Sequence, residues 1–390
     1  EPPRLFESLL RGRPIEDVPD ITARICGICP VAYQMSSIHA LEAALGAQIT
    51  PQIRSLRRLL YCGEWIESHA LHVYLLNAPD FLGCESGIEM AASHADEFNR
   101  GLRLRKLGNR LLELMGGRAI HPINGCLGGF YQLPRQQDMQ SLIPEFEWCL
   151  EAAIETTRWV ATFEMPDFDR DFQLVALHHD HEYPMNEGRI VTSDGESIEV
   201  QDYGQEFVEH HVAHSTALHS VRKKTNASYL CGPLARVNLN FDQLSATARR
   251  VADELGIDWP AMNPFRAIVA RGLELIHVCE EALSILRTYQ PVKPARIAYD
   301  YRAGTGASAT EAPRGLLYHQ YEIEADGTVS KARIIPPTSQ NQAQIEADLR
   351  AWLPQVLDGD DDLTAQQCEK LVRCYDPVSY THLTLPTIQL

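Results

Sequence analysis

Long stretches of helical periodicity constrain this chain more than any other feature. Pro51 opens a helix that runs to about residue 76. Residues 86–115 read as a second, closed by Gly116-Gly117. Residues 138–163 and 263–288 add two more. Helices of this length hide an apolar stripe most simply against one another, which predicts a helix-on-helix core. Shorter helices are expected at 36–45 (capped by Ser36 and Ser37), 207–221, 241–255, 339–353 and 363–374. Two hairpins interrupt them. One spans 188–200 around Asp194-Gly195, the other 316–335 around Asp326-Gly327. The expected fold class is mainly α with small antiparallel β hairpins (α+β), in one unit without internal repeats.

The 390 residues are 45% hydrophobic, enough for a sizeable core. A formal net charge of −17, with the acids dispersed, argues against nucleic-acid binding. Ten cysteines in a chain this long do not make a disulfide framework and fit a reducing compartment. No signal peptide is visible. The best candidate for a membrane span, 56–76, is broken by Arg57, Arg58, Glu64, Glu67 and His69. A cytoplasmic protein is expected.

Chemistry concentrates in Arg24-Ile25-Cys26-Gly27-Ile28-Cys29-Pro30. Two thiols three positions apart can grip one soft metal ion. Gly27 would let the backbone bend round it, and Arg24 would favour the thiolate. None of the other eight cysteines forms a second such pair, as a zinc ribbon would need. Either the site is completed from elsewhere, or the metal is not structural zinc.

Phe6-Glu7 followed by this heptad resembles the first cysteine motif of the large, catalytic subunit of nickel–iron hydrogenases. Gly117-Arg118 with His121-Pro122 and Gly128-Gly129, then 232–238 (GPLARVN), 311–315 (EAPRG), and Pro337-Thr338 with Asn341 resemble four further blocks, in family order. The wording of 29–36 is similar to the soluble, pyridine-nucleotide-linked branch (group 3), which includes sulfhydrogenases. The resemblance implies the nickel–iron hydrogenase large-subunit fold and reversible dihydrogen oxidation and proton reduction, coupled to NAD(P), with sulfur reduction as an option. It implies nickel, iron carrying carbon monoxide and cyanide, and magnesium or a second iron. It implies an iron–sulfur small subunit, flavin- and NAD(P)-binding and iron–sulfur electron-transfer subunits, a maturation protease and nickel-insertion proteins. Other readings are a metal-free structural relative of the quinone-reductase type, or a zinc-stabilised binding module.

Residue by residue, the resemblance makes Cys26 a terminal nickel ligand and Cys29 a bridge to iron. Arg314 would sit over the metal pair. Pro313 and Pro337 would wall the iron ligands, with Thr338 bonding a cyanide. Glu7 and the backbone carbonyl of Ile334 would bind the magnesium or second iron. His121 would order the wall by hydrogen bonding, and Asp376 opens the final motif. Many family members carry, at Tyr33, a histidine that touches the bridging cysteine. Histidines at 178–181 and at 210, 211, 214 and 219 resemble metal clusters, yet the family assigns none there. They read as solvated or hydrogen-bonded helix histidines.

The pattern breaks after Asp376-Pro377. Cysteines are due at 378 and 381 and a histidine at 384, but the residues are Val378, Thr381 and Thr384. Residues 378–387 match one reading frame of a common transposon-end sequencing adapter. The expectation is a large-subunit domain over 1–377, truncated at both ends, with 378–390 as adapter read-through. His382 is therefore no candidate ligand, and the chain as written is expected to be inactive by itself.

Overall fold

The computed structural model describes residues 2–291, 293–357 and 359–377. The expectations at 378, 381, 382 and 384 lie outside them. Four long helices form the centre. Pro51–Leu71 lies along Ala95–Gly116, while Ala267–Thr288 packs on both Pro51–Leu71 and Ile143–Ala161. Local chemistry explains their ends. Thr50 Oγ1 accepts from the Ile53 N–H at 3.3 Å, and Pro51 follows at the first helical position. Gly117 closes its helix in the left-handed region, its N–H returning to the Glu113 carbonyl.

Helices foreseen as continuous prove segmented. The first stays α-helical to Leu71 and passes through a π-type stretch, His72–Asn77. The second divides at His94 into Gly87–Ser93 and Ala95–Gly116. The third divides into Gln136–Gln140 and Ile143–Ala161, restarted by Pro144. Residues 241–255 hold a 3-10 turn, Phe241–Gln243, and the Ser245-capped helix Ala246–Leu255. The helix expected from Ser36 starts earlier, at Pro30, and closes at Leu45. Ser36 and Ser37 are therefore not caps. They are buried inside it, where Ser36 bonds the Thr310 hydroxyl at 2.7 Å.

The larger correction concerns 207–221. This segment is a hairpin, Phe207–Val212 and Ser215–Arg222, with His210 opposite His219 across the strands. Both foreseen hairpins form, and each gains a third strand. Arg189–Thr192 and Ser197–Ile198 are joined by Val175–His178. Gly315–Ile323 and Val329–Ile335 are joined by Gly304–Ala312, with Gly315–Ile323 central. This sheet lies on Pro30–Leu45. The approach is close enough that a Cβ at Gly306 would meet the Ala40 carbonyl oxygen at 2.1 Å. The mainly α, α+β class stands.

Among the described residues, no helix is long and apolar enough to cross a membrane. The charges that interrupt 56–76 are partnered inside the protein. Arg57, fully buried, holds both oxygens of Glu42 at 2.6 and 2.7 Å, and Arg105 meets Glu67 at 3.0 Å.

Candidate active site

The thiol pair sits where a 3-10 turn, Ala23–Ile25, gives way to the Pro30–Leu45 helix. Cys26 is extended and Cys29 is the residue before the helix. Both are 3% exposed. Their sulfurs lie 2.6 Å apart, Cys29 Sγ donating, and the Cys29 N–H also donates to Cys26 Sγ at 3.2 Å. That thiol hydrogen bond brings Cys26 down to about 7 against the effect of burial, with the Arg314 cation helping. Cys29, which gives the proton, is held well above its ordinary range by that bond and by burial.

Two expectations about this loop fail. Gly27 does not adopt a left-handed conformation, and a Cβ there would meet nothing within 4 Å. The bend therefore does not require glycine. Arg24 is not the cation beside the thiols. Its side chain is half exposed and turns toward Asp20 at 3.9 Å.

The cation is Arg314, 2% exposed. Its Nε donates to the Asp376 carbonyl at 2.9 Å and its Nη2 to Asp376 Oδ1 at 3.1 Å. Its Nη1 is buried without a hydrogen-bond partner among the described residues. An unpartnered guanidinium nitrogen near two buried sulfurs is costly unless something anionic or polarisable occupies the space between. The thiols and this nitrogen thus fit a soft metal centre with acceptor groups. Asp376 is kept below the usual carboxylate range because Arg314, with His72 and Arg271, outweighs its burial.

Arg314 is positioned by a buried network that the sequence did not announce. Arg236 holds the carbonyls of the two preceding residues, Ala312 at 2.8 Å and Pro313 at 3.1 Å. It also binds Glu311 at 2.9 Å and both oxygens of Glu274 at 2.7 Å. His69 and Tyr183 complete the shell of Glu274 at 2.8 and 2.7 Å. Gly315 follows in the left-handed region, with a Cβ position only 2.8 Å from Cys231 Sγ and the Gly232 nitrogen. Arg236 and Glu311 both stand within family-like blocks, so position was the signal, but their partnership was not legible.

Glu64 is the second residue that sequence reading missed, having counted only as a break in an apolar run. It is fully buried and accepts from the N–H groups of Val31 at 2.6 Å and Ala32 at 3.1 Å, in the helical turn that begins after Cys29. Burial pushes its carboxyl well up, and those N–H groups only partly oppose this. From the other side, His121 Nδ1 bonds the Ala23 carbonyl at 2.8 Å, holding the turn before Cys26. The Tyr33 ring lies 5.8 Å from that of His319, whose Nδ1 meets the Tyr321 hydroxyl at 2.8 Å. Pro337 is buried, and Thr338 half-buried, in the first turn of Pro337–Val356.

Glu7 and Ile334 also converge, because the Pro2–Leu10 helix packs on the Val329–Ile335 strand. The Ile334 N–H donates to Glu7 Oε1 at 2.7 Å. Arg4 bridges the pair, reaching Glu7 at 2.5 Å, Glu209 at 2.6 Å and the Ile334 carbonyl at 3.3 Å. The oxygens suit a hard cation, but a guanidinium already lies between them.

The chain is similar to known hydrogenases over most of its length. A family model described as nickel-dependent hydrogenase matches residues 4–112. The alpha chain of sulfhydrogenase 1 from Pyrococcus furiosus is 34% identical over 97% of this chain and 88% of its own length. The alpha chain of sulfhydrogenase 2 from the same organism is 31% identical over 97% of this chain and 89% of its own length. A crystal structure of an NAD+-reducing [NiFe]-hydrogenase in its H2-reduced state superposes with a TM-score of 0.84 at 26% identity, covering 96% of this chain and 89% of that one. The chain belongs to the nickel-dependent hydrogenase family. It is the catalytic component of an oxidoreductase acting on dihydrogen through a nickel–iron centre.

Proposed function

We propose that this chain carries out reversible dihydrogen oxidation and passes the electrons, through an iron–sulfur small subunit, then flavin-bearing and further iron–sulfur partners, to NAD(P). Support comes from the likeness to the NAD+-reducing enzyme and the sulfhydrogenases. The observation that carries the site assignment is the buried Cys26–Cys29 thiol pair in the field of buried Arg314, whose Nη1 has no hydrogen-bond partner among the described residues. Maturation protease and nickel-insertion proteins, and a cytoplasmic location, belong to the same reading.

The nickel–iron centre, when bound, supplies the polarisation that splits dihydrogen. Cys26 and Cys29 would hold that centre through their sulfurs. Arg314 presents Nη1 to the charge that develops over the pair, and Asp376 fixes the angle of the guanidinium. Pro313 and Pro337 would exclude water from the iron side of the centre, and Thr338 would offer its hydroxyl there. Glu64 anchors the helical turn after Cys29, and His121 the turn before Cys26. Glu7 and the Ile334 carbonyl remain the assigned pair for magnesium or a second iron. Arg4 must leave the Ile334 carbonyl for that ion to bind.

The large-subunit domain spans 1–377, and 378–390 are sequencing-adapter read-through. Resequencing the gene across codon 378 tests this: clean genomic reads with a valine codon there would contradict it. The functional test is dihydrogen-dependent NAD(P) reduction by the assembled complex. Reduction of a deazaflavin or ferredoxin instead would overturn the NAD(P) assignment and leave the hydrogenase intact.

A further inference from the structure

The 207–222 hairpin brings together histidines that the hydrogenase centre does not use. His214 lies in its turn and His219 on the returning strand, Ser215–Arg222, which packs on the Pro337–Val356 helix. Glu346 of that helix meets both. His214 Nε2 lies 3.2 and 3.0 Å from its two oxygens, and His219 Nε2 lies 3.1 Å from Oε1. The two rings are 5.8 Å apart at 75°. All three ligand atoms fall within 4.8 Å of one another.

His219 supplies the second observation. It is 6% exposed, and its Nε2 is shielded from water and makes no well-directed hydrogen bond although a carboxylate oxygen is near. A buried ring nitrogen without a proper partner is costly. A ligand lying between it and the carboxylate would satisfy both. A tetrahedral zinc with bonds of about 2.0–2.1 Å separates its ligands by roughly 3.3 Å. The nitrogen–oxygen separations of 3.0–3.2 Å already approach that spacing. Two imidazoles and one carboxylate are a donor set that zinc accepts with an open position. That position faces water here, since the His214 side chain is 57% exposed. The nearest competing cation, Arg350, stands off at 3.8 Å from Glu346 and is mostly exposed.

We propose that His214, His219 and Glu346 form a binding site for a zinc-class divalent ion, separate from the thiolate pair and built from different elements. The ion replaces an imidazole–carboxylate contact with three metal bonds. It clamps the hairpin turn to the helix whose first turn holds Pro337 and Thr338.

Zinc alone is the probe. The full chain carrying Cys26→Ser and Cys29→Ser, which removes the candidate thiol pair, is chelator-treated, loaded with zinc and dialysed. One equivalent is expected to remain. Adding His214→Ala or Glu346→Gln, both at solvent-accessible side chains, should weaken zinc binding at least about tenfold, as loss of one ligand requires. Cobalt in the same chain should give nitrogen- and oxygen-type spectra without sulfur charge transfer. A readout free of variants is amide exchange of the wild-type chain, where zinc should slow exchange in 207–222 and 337–356. Zinc content that ignores His214 and Glu346, no retained zinc in the chain lacking the Cys26–Cys29 thiol pair, or unchanged exchange in the hairpin would each overturn the proposal.

Discussion

Arg314 is fixed by Asp376 and has one guanidinium nitrogen without a partner among the described residues, the asymmetry on which its proposed catalytic role rests. Asp376 takes its Nε and Nη2, Nη1 stays unpartnered, and burial denies water access to it. Lysine keeps the charge but cannot fork to Asp376 while reaching elsewhere. Arg314→Lys should therefore leave nickel content unchanged and lower dihydrogen-dependent dye reduction by about 10²–10³-fold, the usual cost of losing one aimed donor. Metal analysis and turnover on the same preparation check it. Unchanged turnover would remove Arg314 from the chemistry. At this scale the sequence was legible where a motif carried the residue: Cys26 meets Cys29 within the field of Arg314, and, separately, Glu7 meets Ile334. It was silent on Glu64, Arg236 and Glu274, whose significance lies in partners 32 or more positions away.

Elements meet through buried charge and close backbone contact. Glu274 joins the Ala267–Thr288 helix to Pro51–Leu71 through His69 and to Pro233–Asn240 through Arg236. Burial alone would raise its carboxyl, but the Arg236 guanidinium and the His69 bond outweigh this and bring it down to about 2. A depressed carboxylate stabilises the folded state above its unfolded pKa and loses that contribution as pH falls toward the folded value. Glu274→Gln should cost about 3–5 kcal/mol at pH 7, as breaking a buried pair does. Its deficit against wild type should shrink between about pH 4.5 and 2 in urea titrations. A deficit that grows on acidification would contradict the pairing. At the sheet–helix contact, Gly306→Ala should destabilise by about 1–3 kcal/mol through overpacking against the Ala40 and Ala44 backbone, measured by denaturant midpoint. The same scale explains the misread hairpin. Its turn, Ala213-His214, has none of the Gly or Asn chemistry that marks a two-residue turn. The histidine spacing imitated a helix, while Val208, Val212, Thr216 and Val221 were the strand signal.

For the whole molecule, the Gly304–Ala312 sheet packs on the Pro30–Leu45 helix that follows the thiol pair, and the strand end at Ala312 leads to the Arg314 segment. The order of motifs revealed the fold because each block is a local solution to a contact at the centre: the thiol turn, the Arg236 clasp, the Arg314 segment and the Pro337 helix start. The third strand of each sheet was hidden, since Gly304–Ala312 is glycine- and alanine-rich to fit under a helix and lacks the usual strand composition. On the proposed reading, catalysis requires Cys26 and Cys29 to hold nickel in the assembled enzyme. Nickel and iron should be quantified in the matured complex with and without Cys26→Ser and Cys29→Ser. Nickel present in the first and absent from the folded second is the predicted result; wild-type nickel content in the double variant would contradict it.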